Sequence, residues 1–306
     1  MVWHSRKHRG DLVRYEWPDE KRCAVILSFD VDAEAPHVFN EPTKATRQLR
    51  EMEERRFGPR TGLPRILRLL DRYDLKASFF VPGYVLVHHT CAIRAIQEAG
   101  HELGCHGNMH EPLDTLDEQQ EREVLGAQLR LFEQILGLRP VGYRAPAWEL
   151  NVRTPTLLKQ YGFQYDSSLM GDDVPYALET PEGPLMEIPV HWMLDDAPLY
   201  RYVPGAGNAI ADPDRVLRMW SREFKGLYDE RGCFTLTMHP WISGRASRLA
   251  ALGELIEYMR SYDGVWFATA LEVSQWALQH LSLDGEEPPA ARSSLGRSQA
   301  PLADLP

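Results

Sequence analysis

Two aspartates stand two residues apart at the end of an apolar run, Ala24-Val25-Ile26-Leu27-Ser28-Phe29-Asp30-Val31-Asp32. In a strand, residues two apart point to the same face, so Phe29 and Val31 face one way and both acids the other. Neighbouring carboxylates repel, and a cation or an arginine must offset that repulsion. A surface turn with two solvated acids is the plainer reading, but it fits poorly after so apolar a run. A second group is His106-Gly107-Asn108-Met109-His110. If this segment is helical, the two imidazoles share a face, as in other metal sites with this spacing. Such pairs also arise by chance on ordinary helices. Together with Asp32 they supply three ligands and leave a position open for water, the pattern of a catalytic zinc site.

Arg144 lies in Tyr143-Arg144-Ala145-Pro146 and His239 closes Leu236-Thr237-Met238-His239. Arg144 is suited to pair with Asp30 and keep it ionised, although taken alone an ordinary ion pair would explain it. An imidazole titrates near neutrality, as a general acid should, although a lone His of this kind is more often structural.

These groups must be brought together by the elements that carry them. Strands are predicted over 24–32, 77–82, 102–106, 141–144, 163–165, 186–190, 234–238 and 265–268. Helices are predicted over 63–73, 92–99, 117–136, 154–161, 213–229 and 246–260, with a last one to about His280. This alternation argues for an α/β domain with a mostly parallel sheet. The number of units favours a barrel of about seven parallel strands over an open sheet. A barrel gathers its strand ends, and with them all four candidate groups, onto one face. The segment 33–60 is polar, contains Pro and is too long to be a plain connection, so it is expected to be functional or mobile. The expected organisation is an N-terminal arm (1–20), a single catalytic barrel domain (21–283) and a flexible tail (284–306).

Composition narrows the function classes. The 306 residues are 43% hydrophobic with a net charge of −10, enough for a sizeable core and unlike a nucleic-acid binder, which needs a basic face. The cluster Arg6-Lys7-His8-Arg9 goes no further and reads as solvated. No stretch approaches a membrane span and the N-terminus lacks a secretory core, so a cytoplasmic location and no membrane partner are expected. The four cysteines form no C-x-x-C pair and are expected to be free thiols of a reducing compartment.

The ordered set Ser28-Phe29-Asp30-Val31-Asp32, His106-x-x-x-His110, Arg144-x-Pro146 and Leu236-x-Met238-His239 resembles the polysaccharide deacetylase (NodB-homology) family. The resemblance covers nearly the whole chain. It implies a distorted (β/α) barrel and a divalent metal, usually zinc, on Asp32, His106 and His110. It also implies Asp30 as base and His239 as acid. The usual family has two adjacent acids in its first motif, whereas here Val31 separates them and Ala33-Glu34-Ala35 follows. That form is similar to a branch with peptidoglycan-deacetylase-like, allantoinase-like and cyclic-imide-hydrolase-like members. Tyr165-Asp166-Ser167-Ser168-Leu169-Met170 and Glu187-Ile188-Pro189-Val190-His191-Trp192 resemble that branch too. Some allantoinase-like relatives work without metal but tend to lack the full ligand set. All three ligands are present here, so a metal is expected, with zinc the leading ion. The altered motif leaves Glu34 as reserve base. The branch also implies a homo-oligomer.

The expected chemistry is hydrolysis of a non-peptide carbon–nitrogen bond. Metal would acidify water and polarise a carbonyl, Asp30 held by Arg144 would take the water's proton, and His239 would protonate the departing nitrogen. One of Asp166, Asp195 or Asp196 should orient His239. Glu34, Trp148, Trp192 and Trp241 are candidate substrate contacts, with plain core packing equally open for each Trp. A small cyclic amide, imide or ureide is the expected substrate, because 33–60 could close the barrel mouth. Deacetylation of N-acetylated sugars or peptidoglycan is the alternative. A non-catalytic carbohydrate-binding barrel is a third reading, against which the full set of acid, base and ligands argues.

Overall fold

All eight residues of strand β1 (Cys23–Asp30) are buried, because both faces of the strand are covered, as expected of a parallel sheet. The faces differ in chemistry. Cys23, Val25, Leu27 and Phe29 join the larger core beneath the helices. Ala24 and Ile26 join a smaller inner core, and that inner row continues with Ser28 and Asp30. Along one line of alternate residues the barrel interior thus changes from hydrocarbon to hydroxyl to carboxylate.

The computed structural model describes residues 16–280. The predicted tail, and the predicted arm as far as residue 15, lie outside the described residues. The other strands are β2 (Ser78–Val81), β3 (Glu102–Cys105), β4 (Gly142–Tyr143), β5 (Tyr165–Asp166), β6 (Tyr176–Leu178), β7 (Leu185–Glu187), β8 (Cys233–Met238) and β9 (Val265–Phe267). They run in the order β6-β7-β5-β4-β3-β2-β1-β8, with β9 also paired to β1. β8 takes one edge of β1 from Ala24 to Phe29. β9 and β2 divide the other edge, at Cys23–Val25 and Ser28–Asp30. All pairs are parallel except β6 with β7. The result is a curled, mostly parallel α/β sheet, a distorted half-barrel of the type expected. β7 and β8 are not directly paired. The chain after β7 reaches across, with a bridge from Asp195 to Thr237.

Helix Glu118–Leu136 shows why its bounds are legible in sequence. Asp117 and Gln120 form a reciprocal capping box and Gly137 ends the helix at φ 67°. β6 was not foreseen: it is three residues long and only partly buried, so it has little apolar pattern. The final helix, Ala270–His280, sends Ala270, Val273 and Ala277 into the inner core with Ala24 and Ile26, which fills the end of the barrel opposite the acids.

The segment 33–60 folds as short helices at Ala35–Asn40, Pro42–Ala45 and Leu49–Phe57, followed by a π-helical turn at Gly58–Gly62. It is seated firmly on the barrel. A Cβ on Gly62 would lie 2.0 Å from the Pro240 carbonyl oxygen, and one on Gly58 3.1 Å from the Trp241 nitrogen. At Gly62 only glycine permits this approach to the short helix Pro240–Ser243 after β8. The four cysteines are free and three are buried. Among the described residues, no helix is long and apolar enough to cross a membrane.

Candidate active site

Five strand ends meet above the inner row. The first correction to the sequence reading is local. His106 and His110 are not on a helix: Gly107 and His110 have φ of 70° and 64°, a left-handed backbone that a right-handed helix cannot hold. A loop brings the rings together instead. Glu111 Oε2 accepts from the backbone N–H of Asn108 and Met109 at 2.9 and 2.8 Å, folding the chain back on itself. A Cβ at Gly107 would crowd Pro146 Cγ at 3.0 Å.

Asp32 stands between three imidazoles. His106 Nε2 lies 3.4 Å from its Oδ1, and His110 Nε2 and His239 Nε2 lie 3.7 and 3.6 Å from Oδ2. Asp32 Oδ1 is buried without a hydrogen-bond partner. Two donors on one zinc, each about 2.0–2.1 Å away at tetrahedral angles, stand roughly 3.4 Å apart. The orphaned oxygen and the spacing of Asp32, His106 and His110 therefore fit a divalent cation. The tautomer also fits: His106 Nδ1 donates to the Arg144 carbonyl at 2.8 Å, leaving Nε2 free to ligate. Burial alone would raise the Asp32 carboxyl, but His110, His106 and His239 hold it well below the usual range. Burial lowers His110 to about 4, which keeps that ring neutral.

Arg144 is fully buried and is held on all sides. Its Nη1 donates to Asp30 Oδ1 and Ser28 Oγ, each at 2.9 Å. Its Nε and Nη2 donate to the carbonyl and hydroxyl of Ser167 at 2.9 and 2.8 Å, and the guanidinium lies 4.1 Å over the Phe80 ring. Such saturation is what makes a buried cation tolerable. It fixes Asp30 Oδ1, while Oδ2 lies 3.9 Å from His106 Nε2.

His239 is oriented by Asp196, one of the three candidates. Asp196 Oδ1 accepts from Nδ1 at 2.7 Å, and its Oδ2 accepts from the His239 backbone N–H at 2.9 Å and Ser243 Oγ at 2.5 Å. Burial opposes the charge on His239, but Asp196, Asp32 and Asp195 together outweigh it and hold the imidazole well above its ordinary range. Asp195 Oδ1 is 3.8 Å from Nδ1, and burial raises its carboxyl. Asp166 is elsewhere, on the outer face of the sheet.

Asp30, Asp32, His106, His110, Asp195 and His239 line a pocket of about 380 Å³ with Trp148, Trp192 and Trp241 in its wall. The Trp148 and Trp192 rings pack against each other at 4.5 Å between centroids, tilted by 32°. Ala147 and Trp148 both have left-handed φ, 54° and 59°. Such strain costs on the order of 1 kcal/mol per residue and persists where surrounding structure enforces it. Glu34 does not line the pocket. Its two oxygens are taken by Arg56 Nε at 3.1 Å and His89 Nε2 at 2.9 Å, so neither the reserve-base role nor substrate contact fits it. The sequence reading also missed His37, Arg55 and Arg201, which line the same pocket. Their only signal was membership of, or nearness to, segments without periodicity.

A strand-end cluster of this kind, with an oriented imidazole opposite an arginine-held carboxylate, defines a hydrolase of the amidohydrolase class rather than a binding barrel. The comparisons agree. A family model described as polysaccharide deacetylase matches residues 57–165. The chain is 32% identical over 246 residues to a peptidoglycan deacetylase of Helicobacter pylori, covering 71% of this chain and 84% of that protein. A solved Mycobacterium smegmatis structure described as a polysaccharide deacetylase is 41% identical, with a TM-score of 0.85 over 91% of this chain and 98% of the other. The PuuE allantoinase structure is 25% identical, with a TM-score of 0.77 over 89% and 95%. The chain belongs to the polysaccharide deacetylase family.

Proposed function

We propose that this protein hydrolyses the carbon–nitrogen bond of a small cyclic amide, imide or ureide, with a divalent cation held by Asp32, His106 and His110. The observation that carries the substrate reading is the roof. Pro36, His37, Asn40, Glu41 and Arg55 come from the segment after β1 and wall one side of the pocket, whose volume of about 380 Å³ is that of a small-molecule site. Gly58 and Gly62 seat that segment against the loop after β8, which favours a small ligand over a polymer threading a groove.

Zinc is the ion proposed, since two imidazoles and one carboxylate are a usual zinc set. Such a cation supplies Lewis acidity to the scissile carbonyl and to water. The protein's own groups do the rest. Asp30 accepts the proton of the attacking water through Oδ2, because Arg144 occupies Oδ1. Its position is set by the four side-chain bonds of Arg144. His239 delivers a proton from Nε2 to the departing nitrogen, and Asp196 on Nδ1 keeps the ring turned toward it.

Deacetylation of an N-acetylated sugar is the second reading. The Helicobacter pylori relative is named a peptidoglycan deacetylase, and the paired Trp148 and Trp192 rings at the pocket wall offer an aromatic face for a sugar ring. One panel decides between them: cyclic ureides, cyclic imides and N-acetylglucosamine oligomers, assayed with zinc-loaded and chelated protein. Turnover of cyclic substrates that is lost on chelation and restored by zinc supports the proposal. Turnover confined to the oligomers overturns the substrate reading, and undiminished activity after chelation overturns the cation. We also propose a cytoplasmic setting, which fractionation of the source cells tests.

A further inference from the structure

The roof brings positive charge that the hydrolysis does not require. Arg55 is 4% exposed. Its Nε donates to Glu51 Oε1 at 2.9 Å and its guanidinium lies 5.0 Å over the Trp241 ring. Its two Nη nitrogens have no hydrogen bond among the described residues. Arg201 follows the short helix Ala197–Tyr200 and lines the same pocket. Its guanidinium has no ion pair or hydrogen bond among the described residues. Burial, and then Arg55, lower its pKa, so the two cations are close enough to act on each other.

The acids nearby answer only part of this charge. Asp30 is taken by Arg144, Glu41 by Lys44 at 2.7 Å, and Asp195 Oδ1 by the Ala197 backbone N–H at 2.8 Å. Asp32 belongs to the imidazole cluster, and Glu51 is shared by Arg55 and Arg50. The free Nη donors of Arg55 and the solvent-exposed guanidinium of Arg201 both face this pocket, where an entering anion would pair with them. A carboxylate matches the planar fork of guanidinium donors.

We propose that Arg55 and Arg201 form a carboxylate-binding subsite, so that the substrate is a small amide, imide or ureide carrying an anionic group away from its scissile bond. The substrate part rests on the function proposed above; the anion subsite itself does not depend on turnover.

Calorimetry with succinate and its uncharged diamide, on zinc-loaded protein and on Arg55→Met and Arg201→Ala, tests the subsite. Succinate is expected to bind the unmodified protein and the diamide to bind far more weakly. Either substitution should weaken succinate by about ten- to hundredfold, the worth of charged hydrogen bonds. Arg55 is buried and its variant could fail to fold, so exposed Arg201 decides alone if the Arg55→Met melting curve is lost. Succinate binding that survives Arg201→Ala unchanged is carboxylate on the cation, and overturns the proposal. Twin cyclic imides, one with a carboxylate and one with a carboxamide in its place, test the substrate. The kcat/KM ratio should favour the carboxylate, through KM, and should collapse in Arg201→Ala. Equal ratios in both proteins overturn it. If neither twin is turned over, the function reading fails, while the succinate arm still decides the subsite.

Discussion

Asp30 and Asp32 form one buried acidic pair of this barrel, and Asp166 and Glu187 form another. The first lies on the inner row with Ser28. The second lies on the outer face, where Tyr143, Asp166 and Glu187 align across β4, β5 and β7. On the inner face each acid meets cations or imidazoles, Asp32 Oδ1 is left open, and a pocket gives access. On the outer face there is no such partner. Asp166 Oδ1 accepts from Ser168 Oγ at 2.9 Å, and Glu187 Oε1 accepts from the backbone N–H of Ser168 and Leu169, both at 2.8 Å. The remaining oxygens, Asp166 Oδ2 and Glu187 Oε2, have no other partner. A proton shared between them would satisfy both. Burial raises both carboxyls, Asp166 to about 6 and Glu187 well above its usual range. Burial alone therefore does not make an acid reactive. Partners and access do.

The contrast breaks most visibly at His106. His106→Ala should drop turnover by roughly 10³-fold or more and remove the bound cation, measured by elemental analysis alongside kcat. Retained activity would sink the inner-face account. Next is the proposed proton donor. His239→Ala should lower kcat by about 10²–10⁴-fold, with partial rescue on substrates whose leaving nitrogen is a weaker base. Asp196→Asn should cost less, because the ring is still in place. The absence of any leaving-group effect would assign His239 another role.

The outer pair predicts a stability effect with little effect on chemistry. Its folded carboxyls titrate above their unfolded values, near 3.9 and 4.3, so the folded state holds more protons. Stability is then full below about pH 4 and falls as pH rises through about 6 and beyond. Glu187→Gln keeps an acceptor for Ser168 and Leu169 and gives Asp166 a permanent donor. It should flatten that fall by on the order of 1 kcal/mol between pH 4 and 7, read from urea midpoints. An unchanged pH slope would show that the pair holds no shared proton. The smallest effect is at the rim. Trp192 is 48% exposed, so Trp192→Ala should raise KM a few-fold (about 1 kcal/mol of stacking) with kcat nearly unchanged. A larger loss in kcat would place Trp192 in the reaction itself.

Much of this was legible without coordinates. The strand ending in Asp30-Val31-Asp32, the long helix with its Asp117 cap and Gly137 stop, and the alternation that implies a curled parallel sheet all rest on local patterns. The pairing of Arg144 with Asp30 could be guessed, because a buried acid pair needs a cation and Arg144 ends a nearby strand. The mistaken helix at His106–His110 shows the limit. The spacing was right, but it is equally compatible with a loop pinned by Glu111, and residue types alone do not distinguish them. Glu34 fails for a related reason: its neighbours in sequence are catalytic candidates, yet its oxygens are drawn to Arg56 and His89, which are distant in the chain.

By itself the sequence determined which face each strand residue takes, where helices start and stop, and which residue types could bind a cation or move a proton, because these follow from periodicities of two and 3.6 and from side-chain chemistry. Only the tertiary structure decided that Asp196 and not Asp195 or Asp166 orients His239, that Arg55 and Arg201 share a pocket, and that Asp166 and Glu187 face away from it. Those outcomes depend on contacts between segments far apart in the chain, 186 residues in the case of Arg55 Cζ over Trp241, and contacts at that range leave no local pattern for a sequence to display.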